Sequence, residues 1–168
     1  MLHEQLTEND VQKKSKKRIE YRKLTVRKNA IEAVKEARAH GDLSENFEYH
    51  AAKKDKNMNE SRIRYLERML KNAEIVSDQS KSDEVGINNT VTLYMEDDDE
   101  EETYKIVTSI RGNSMKGHIS TESPMGKALL GHKVGERVYI KVNENFGYYA
   151  VIRKIENTDD GGDEIRKF

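Results

Sequence analysis

The stretch Gly41-Asp42-Leu43-Ser44-Glu45-Asn46 interrupts two long charged segments that otherwise have the composition of helices. Gly41 ends the first segment, and Asp42 or Ser44 is a suitable N-cap for the second. The chain has no Gly before Gly41 and no Pro before Pro124. The sequence therefore predicts two helices, over about residues 8–40 and 45–76, joined by a short connection into an antiparallel hairpin.

Apolar residues recur with helical spacing in both segments. The second segment has the 3-4-3 spacing of a coiled-coil seam at Ile63, Leu66, Leu70 and Ala73. In the first segment we predict an apolar stripe formed by Leu24, Ile31 and Val34, with Ala30, Ala33 and Ala37 beside it. Helices of about 30 residues are roughly 45 Å long, so the hairpin forms a stalk with two carboxylates at its end.

The composition is that of an elongated protein with a small core. Hydrophobic residues make up 35% of the 168 residues and charged residues 36%, which is too polar for one compact globule of this length. The chain has no Cys, which excludes disulfides and thiolate metal sites. It also has no long apolar run, and its N-terminus does not resemble a secretory signal. We therefore expect a cytoplasmic protein without a membrane span.

The net charge of −1 conceals a difference between the two halves. Residues 1–78 carry 18 Lys and Arg against 14 Asp and Glu, whereas residues 79–168 carry 12 against 17. Nine of the basic residues lie between positions 10 and 28: Lys13, Lys14, Lys16, Lys17, Arg18, Arg22, Lys23, Arg27 and Lys28. Such a stripe on a helix is typical of a polyanion-binding surface or of a solvated helix face, and the charges alone favour the solvated face.

Beyond the stalk, the pattern changes from helical to strand-like. Residues 79–89 have the composition of a linker. Four segments rich in Val, Ile, Thr and Tyr then predict strands of an antiparallel sheet, at residues 90–95, 103–110, 137–142 and 148–155.

The acidic run 96–102 is interpreted as a solvated hairpin loop. Ser123-Pro124 and Gly131 delimit a short helix, and residues 159–162 are expected to be frayed.

These elements predict an α+β protein in three parts. Residues 1–78 form the hairpin, with an acidic tip at 41–46, residues 79–89 form the linker, and residues 90–168 form a sheet domain.

Asp42 and Glu45 have two interpretations. Their spacing of three suits a capping box, which any helix can use. Alternatively, two exposed carboxylates supply part of the oxygen shell of Mg²⁺, and a partner that already holds metal and phosphate supplies the rest. Spacing alone favours the capping box.

Two motifs closely resemble those of one family. The first is Glu36-Ala37-Arg38-Ala39-His40-Gly41-Asp42-Leu43-Ser44-Glu45-Asn46-Phe47-Glu48-Tyr49-His50-Ala51-Ala52-Lys53. The second is Gly117-His118-Ile119-Ser120, followed by Ser123-Pro124-Met125-Gly126-Lys127-Ala128-Leu129-Leu130-Gly131-His132-Lys133-Val134-Gly135. Both are similar to the signatures of bacterial Gre factors, which are transcription elongation factors of the GreA/GreB type, and they occur in that family's order.

The resemblance implies a function and a fold. In that family the hairpin enters the secondary channel of RNA polymerase and stimulates Mg²⁺-dependent cleavage of the 3′ end of backtracked RNA. The residues that match the tip carboxylates are Asp42 and Glu45, which would share a Mg²⁺ with the polymerase, so no tightly bound cofactor is expected. The C-terminal domain would be FKBP-like and would dock on the rim of the channel. We expect a monomer that is not itself an enzyme.

The resemblance also assigns roles to neighbouring residues. Residues expected to support the tip are Ser44, Asn46, Phe47, Glu48 and Tyr49. Residues expected to contact RNA are Lys13, Lys14, Lys16, Lys17 and Arg18, and those expected to dock on the polymerase are Ile119, Ser120, Ser123 and Pro124. Phe47 departs from the Ala that is usual in the family, and it could repack the hairpin end or contact the polymerase.

Three other functions compete with a cleavage factor. A free-standing nuclease would need a metal site with its own supporting residues, and the five His residues show no metal-ligand spacing. A Gre-like regulator that inhibits polymerase would differ at the tip, whereas Asp42 and Glu45 are both present. A plain coiled-coil protein would leave the tip motif unexplained. The sequence therefore favours the cleavage factor.

Overall fold

The computed structural model describes residues 4–41 and 46–166, and these form two compact units. The first unit contains residues 9–73 and the second contains residues 4–8 and 74–166. A long first helix continues through Asp10–Ser15, Lys16–Tyr21, Arg22–Val26 and Arg27–Arg38, and a second helix spans Phe47–Lys71. The two helices are antiparallel neighbours, as predicted, since Arg27 contacts Glu60 while Ala37 contacts Asn46.

The seam between the helices differs from the predicted one in the first helix. Ala37 is buried there and Val34 half-buried, but Leu24 is 66% exposed and Ile31 37% exposed, so the predicted stripe is wrong at these two positions. For Leu24 the reason is that it lies in a π-helical segment, Arg22–Val26, which follows another at Asp10–Ser15; the exposure of Ile31, in the regular helix Arg27–Arg38, has no such explanation. Hydrogen bonds from i to i+5 put more residues in a turn, so a regular α-helical period assigns the wrong face.

The second helix follows its predicted pattern more closely. Its buried apolar side chains are Tyr49, Ile63, Leu66 and Met69, and Leu70 is half-buried. An unbroken α-helix keeps the 3.6-residue period on which the prediction depends.

A polar pair lies inside this seam beside the second π-helical segment. Asn59 is buried and donates from Nδ2 to the Arg22 carbonyl oxygen at 3.3 Å, while Arg22 Nη1 donates to Asn59 Oδ1 at 3.1 Å. Burial lowers the pKa of Arg22, as do the neighbouring Arg62 and Arg18. The side-chain amide of Asn59 therefore hydrogen-bonds to both the carbonyl group and the guanidinium of Arg22, which is the first residue of the π-helical segment.

We expect Asn59→Ala to destabilise the hairpin by about 1–3 kcal/mol, because it removes the partner of a partly buried guanidinium and of a carbonyl. Asn57 lies two residues away on the exposed face of the same helix, so Asn57→Ala is the matched control. Thermal unfolding followed by circular dichroism at the helix wavelength compares the two. Equal midpoints for both variants would show that the pair contributes no net stability.

The strands of the second unit form a two-stranded and a five-stranded sheet. In the smaller sheet, β1 (Gln5–Leu6) and β2 (Glu74–Ile75) pair in parallel, and the sequence predicted neither of them. The larger sheet comprises β3 (Asn89–Met95), β4 (Glu100–Val107), β5 (His118–Ser120), β6 (Arg137–Lys141) and β7 (Gly147–Asn157). Its strand order is β5-β4-β3-β7-β6, and all neighbours are antiparallel except β4 and β5.

The core of this unit lies on one face of the larger sheet. A short helix, Pro124–Leu129, contributes Leu129, and Val85 from the predicted linker is also buried there. Ser123 caps the helix, as predicted, by accepting from the Gly126 N–H at 3.1 Å. The acidic run is a loop only at residues 96–99, because Glu100, Glu101 and Glu102 begin β4. Pairing with β3 draws these three acids into the sheet, against the prediction.

The C-terminal segment is held more firmly than its composition suggests. Ile165 is buried, and the Arg166 N–H donates to the Ile110 carbonyl at 2.5 Å. Asp163 lies 2.9 Å from both Lys105 Nζ and Arg111 Nη1. Burial alone would raise the pKa of Asp163, but the contacts with Lys105 and Arg111 outweigh burial and lower this pKa. The residues that follow the segment expected to be frayed, 163–166, are therefore anchored to the rest of the unit.

Because the pKa of Asp163 is lower in the folded chain than in the unfolded chain, the carboxylate stabilises the fold above the unfolded pKa. This contribution disappears as the pH falls through the folded pKa, so wild type loses stability between about pH 5 and pH 2. We expect Asp163→Asn to be less stable at neutral pH and less sensitive to acid over this window. Unfolding midpoints across pH measure this, with Asp97→Asn, an exposed change, as the control. Parallel curves for wild type and Asp163→Asn would contradict the assignment.

Candidate functional site

The end of the hairpin is tied together by Asn46. Its Oδ1 accepts from the Tyr49 N–H at 3.0 Å, which makes Asn46 the N-cap of the second helix. Its Nδ2 donates to the Ala37 carbonyl of the first helix at 2.7 Å. The expectation that Asp42 or Ser44 caps this helix is therefore wrong. Asn, Asp and Ser cap helices almost equally well, so residue type alone could not show that the cap is Asn46 and not Asp42 or Ser44.

The chain leaves the first helix through Gly41, whose φ is +125°. A residue with a Cβ is strongly strained at this angle, which explains why Gly stands at this point. The next four residues, 42–45, lie outside the described residues, and they include the predicted site residues Asp42, Ser44 and Glu45. In chain order these four residues connect Gly41 to the cap at Asn46.

Tyr49 supports the hairpin just below this connection. Its side chain is buried, the Arg38 guanidinium carbon lies 5.6 Å from the ring centroid, and Lys53 Nζ lies 6.0 Å from it. A hydrogen bond with Arg38 is the main cause of a lowered pKa at the Tyr49 hydroxyl. Arg38 and Tyr49 come from different helices, so this contact joins the helix ends in addition to Asn46.

Phe47 and Glu48 are the exposed members of the predicted tip-support set. Phe47 is the first residue of the second helix and 87% of its side chain is exposed. It therefore does not repack the end of the hairpin, which was one of its two expected roles. Glu48 lies in the first turn of the second helix, where its negative charge interacts favourably with the helix dipole. Of the residues predicted to support the tip, Asn46 and Tyr49 make contacts between the two helices, and their role at the tip stays a prediction.

The basic stripe divides into two groups in the structure. Arg27 forms a two-point contact with Glu60 at 2.7 and 3.0 Å, and Lys23 forms an ion pair with Glu67, so these cations join the two helices. The contact with Glu60 raises the pKa of Arg27 and lowers the pKa of Glu60.

The second group comprises the five residues predicted to contact RNA. Among them, Lys13, Lys16 and Lys17 are exposed, while Lys14 and Arg18 are half-buried. Lys16 donates to Gln12 at 3.1 Å, and no carboxylate of the described residues forms an ion pair with Lys13, Lys16 or Lys17. The sequence could not make this division, because it depends on which carboxylates of the second helix lie opposite.

The four predicted docking residues have local structural roles. Ser123 is the helix cap and donates from its hydroxyl to the Ser120 carbonyl at 2.6 Å, and Pro124 occupies the first helical turn. Ile119 is half-buried against the core. These contacts show that the motif residues begin the short helix and hold it in place. The role of the four residues in docking stays a prediction.

The described residues contain no cluster of three or more His, Asp or Glu side chains that could hold a metal. Residues 42–45 include two carboxylates, those of Asp42 and Glu45. Carboxylate oxygens are suitable ligands for Mg²⁺, but two of them supply only part of its coordination shell. The side-chain amide of the neighbouring Asn46 is already hydrogen-bonded to the Tyr49 N–H and the Ala37 carbonyl. Two carboxylates would therefore need further ligands from another molecule to complete the shell of a Mg²⁺ ion.

Comparison with family models identifies the class of this protein. The N-terminal domain model of the GreA/GreB transcription elongation factors matches residues 4–75, and the family's C-terminal model matches residues 79–157. The chain belongs to the GreA/GreB family.

Curated relatives cover most of the chain. Transcription elongation factor GreA of Caldanaerobacter subterraneus is 47% identical over 131 residues, which span 77% of this chain and 83% of the relative. GreA of Bacillus subtilis is 43% identical over 128 residues, 76% of this chain and 82% of the relative. The solved Gfh1 protein of Thermus thermophilus is 25% identical, covering 92% of this chain and 99% of its own, with a TM-score of 0.43.

Within residues 4–41 and 46–166, no helix combines the length and the apolar character that crossing a membrane requires.

Proposed function

We propose that this protein stimulates bacterial RNA polymerase to cleave the 3′ end of backtracked RNA and thereby restarts arrested transcription. The observation that carries the proposal is the cap at Asn46, in a chain that belongs to the GreA/GreB family. Since Asn46 caps the second helix, the capping box no longer accounts for Asp42 and Glu45. A pair of carboxylates on the connection of a helical hairpin then suits delivery to a partner's active site.

Asp42 and Glu45 are the residues that would hold the shared Mg²⁺. When bound, such an ion lowers the pKa of a coordinated water and stabilises negative charge in phosphoryl transfer. The polymerase provides the remaining ligands and the RNA, so the protein is a stimulator of the polymerase and not an enzyme by itself. The contacts of Asn46 with Ala37 and of Arg38 with Tyr49 hold the helix ends that carry the two carboxylates. Such support limits the motion of the delivered groups.

The hairpin enters the secondary channel of the polymerase, and the sheet unit docks on the rim through the surface around Ile119, Ser120, Ser123 and Pro124. The protein acts as a monomer in the cytoplasm. Phe47, with its exposed ring, is available to contact the channel.

Lys13, Lys14, Lys16, Lys17 and Arg18 contact the extruded RNA. Changing the four lysines to Gln should weaken affinity for an RNA-bearing backtracked complex and reduce the salt slope by about 0.7 for each phosphate that is no longer neutralised. Lys54→Gln with Lys71→Gln, two exposed lysines on the second helix, is the control for unspecific loss of charge. Fluorescence binding curves over salt concentrations of roughly 50–200 mM measure both slopes. If the four-lysine variant had the same salt slope as wild type, the basic stripe would be only a solvated helix face.

The direct test is a backtracked elongation complex labelled at the RNA 5′ end, incubated with Mg²⁺ and with or without the protein. Wild type should accelerate the loss of 3′ nucleotides and restore extension when nucleotides are added. The same protein with the labelled RNA but without polymerase should produce no cleavage. Cleavage without polymerase would instead indicate a nuclease, and binding without acceleration would indicate a Gre-like regulator that modulates polymerase in another way.

A further inference from the structure

A cavity of about 650 Å³ opens in the second unit between two segments of the chain. One wall is formed by residues 111–116 with His118, and the other by residues 162–166. The volume lies in the range of small-molecule sites in proteins. The family's C-terminal model matches residues 79–157, so the second wall belongs to a segment beyond that match. Membership of the family therefore does not account for the cavity.

Both walls are held in place by contacts within the unit. In the first wall, the Asn113 N–H donates to the His118 carbonyl and the His118 N–H donates to the Asn113 carbonyl, each at 2.9 Å. In the second wall, the Arg166 N–H donates to the Ile110 carbonyl at 2.5 Å, and Ile165 is buried. A ligand would thus enter a site that is largely formed before binding, which reduces the entropy cost of binding.

The charged side chains of the cavity favour an anion. The Asp163 carboxylate lies 2.9 Å from both Lys105 Nζ and Arg111 Nη1, so it is already paired with cations of the unit. The other charged residues that line the cavity are all exposed: Lys116, Glu164 and Arg166. Within the described part of the chain, no ion pair involves Lys116 or Arg166. Two cations against one acid attract a negatively charged ligand and repel a positively charged one.

His118 adds a neutral hydrogen-bonding group between these charges. Burial is the main cause that lowers the pKa of His118. Asp163 raises this pKa, whereas three nearby cations lower it: Lys105, Lys116 and Arg111. The imidazole is therefore neutral at pH 7, and it offers one N–H donor and one acceptor nitrogen to a ligand.

The remaining lining residues favour a ligand with hydroxyl groups. Asn113 and Ser114 supply polar side chains, and Met115 and Ile165 supply apolar atoms. Among the described residues that line the cavity, none is Phe, Tyr or Trp, the rings on which nucleic-acid bases commonly stack. A sugar or polyol therefore suits the cavity better than a nucleotide.

We propose that this cavity binds a small phosphorylated sugar or polyol. The phosphate group carries close to two negative charges at pH 7 and pairs with Lys116 and Arg166 at the cavity surface. The hydroxyl groups of the ligand form hydrogen bonds with Asn113, Ser114 and His118. The cavity shares no residue with the hairpin, so the proposal does not depend on the proposed function.

The test is a titration of the full-length ¹⁵N-labelled protein in a phosphate-free buffer, followed by the amide shifts of residues 112–118 and 162–166. The probes are glycerol 3-phosphate, ribose 5-phosphate and fructose 1,6-bisphosphate. Ribose, inorganic phosphate and a tetraglutamate peptide are the comparison ligands. The variants are Lys116→Gln with Arg166→Gln, and Glu164→Gln alone. Lys127→Gln with Arg153→Gln removes the same two kinds of charge from exposed positions outside the cavity and is the control.

At least one phosphorylated probe should give saturable shifts confined to the two walls, and ribose should give none. The Lys116/Arg166 variant should bind this probe about tenfold or more weakly, because two charge-assisted hydrogen bonds are lost. Glu164→Gln should bind it about 2–5-fold more tightly, since a repelling charge is removed. A variant that merely disturbed the fold would not tighten binding.

Four results would each overturn the proposal. They are the absence of saturable shifts with all three phosphorylated probes, equal affinity of the Lys116/Arg166 variant and wild type, inorganic phosphate binding as tightly as the best ester, and tighter binding of the tetraglutamate peptide. The last result would assign the cavity to an acidic segment of a protein. If the Lys116/Arg166 variant failed to fold, the direction of the change in Glu164→Gln would still decide the result.

Discussion

Asp42→Asn combined with Glu45→Gln should reduce stimulated cleavage by about 100-fold or more while affinity for the polymerase is retained. Loss of metal-assisted stabilisation costs several kcal/mol of the barrier, and each 1.36 kcal/mol corresponds to about a tenfold change in rate. Affinity should persist because the basic stripe and the surface around Ser123 are unchanged. Single-turnover cleavage and competition binding measure the two quantities separately.

The matched control for this variant is Glu32→Gln with Glu36→Gln, which removes two exposed carboxylates from the first helix and leaves the connection intact. These changes alter net charge equally but should leave cleavage near the wild-type rate. If the control lost cleavage to the same extent, total negative charge on the hairpin would explain the effect, and Asp42 and Glu45 would have no special role.

Gly126→Ala should destabilise the second unit by about 3 kcal/mol or more. A Cβ at this position would lie 2.0 Å from the Ser120 carbonyl oxygen and 2.9 Å from the Thr121 Cα. These atoms are backbone, and they cannot move away easily because β5 is paired with β4 and Ser120 also accepts from Ser123. The glycine thus allows the short helix to lie directly against the strand end.

Hydrogen exchange at the amides of β3 and β7 reports the opening of this unit and should accelerate strongly in Gly126→Ala. Lys127→Ala, at the next and exposed position of the same helix, adds no atom near Ser120 and is the control. Equal exchange in the two variants would show that the helix can shift without cost. Because Gly126 belongs to the motif shared with the family, its effect also measures how much of that motif serves the fold.

The sequence predicted the kinds of elements well, and the physical reason is local. The first helix follows from the absence of Gly and Pro before Gly41, and the short helix follows from Ser123-Pro124. The strands follow from β-branched and aromatic residues. Membership of the GreA/GreB family, indicated by the two motifs, is confirmed by the family models.

The failures concern features that depend on contacts between elements. The exposure of Leu24 results from π-helical turns beside Asn59, and no sequence period shows such turns. The pairing of Asp163 depends on Lys105 and Arg111, more than 50 positions away in the chain, and the hydrogen bond of Arg166 beside the buried Ile165 depends on Ile110. Composition indicates only that such a segment is polar and rich in glycine.

The candidate site was predicted in part. The resemblance named Asn46 and Tyr49 as supporting residues, and the structure shows how each joins the two helices. It did not identify Asn46 as the cap, nor Arg38 as the partner of Tyr49. It also treated the basic stripe as one surface, whereas Arg27 and Lys23 are used within the hairpin. The roles of Asp42 and Glu45 stay a prediction.

The central claim is that Asp42 and Glu45 hold a Mg²⁺ in the polymerase active site. The most direct test is the rate of single-turnover cleavage as a function of Mg²⁺ concentration, in backtracked complexes saturated with wild type or with the Asp42→Asn/Glu45→Gln variant. The account predicts that wild type lowers the Mg²⁺ concentration for half-maximal cleavage, and that the variant gives the higher value of polymerase alone. The same half-maximal concentration for wild type and for the variant would contradict it.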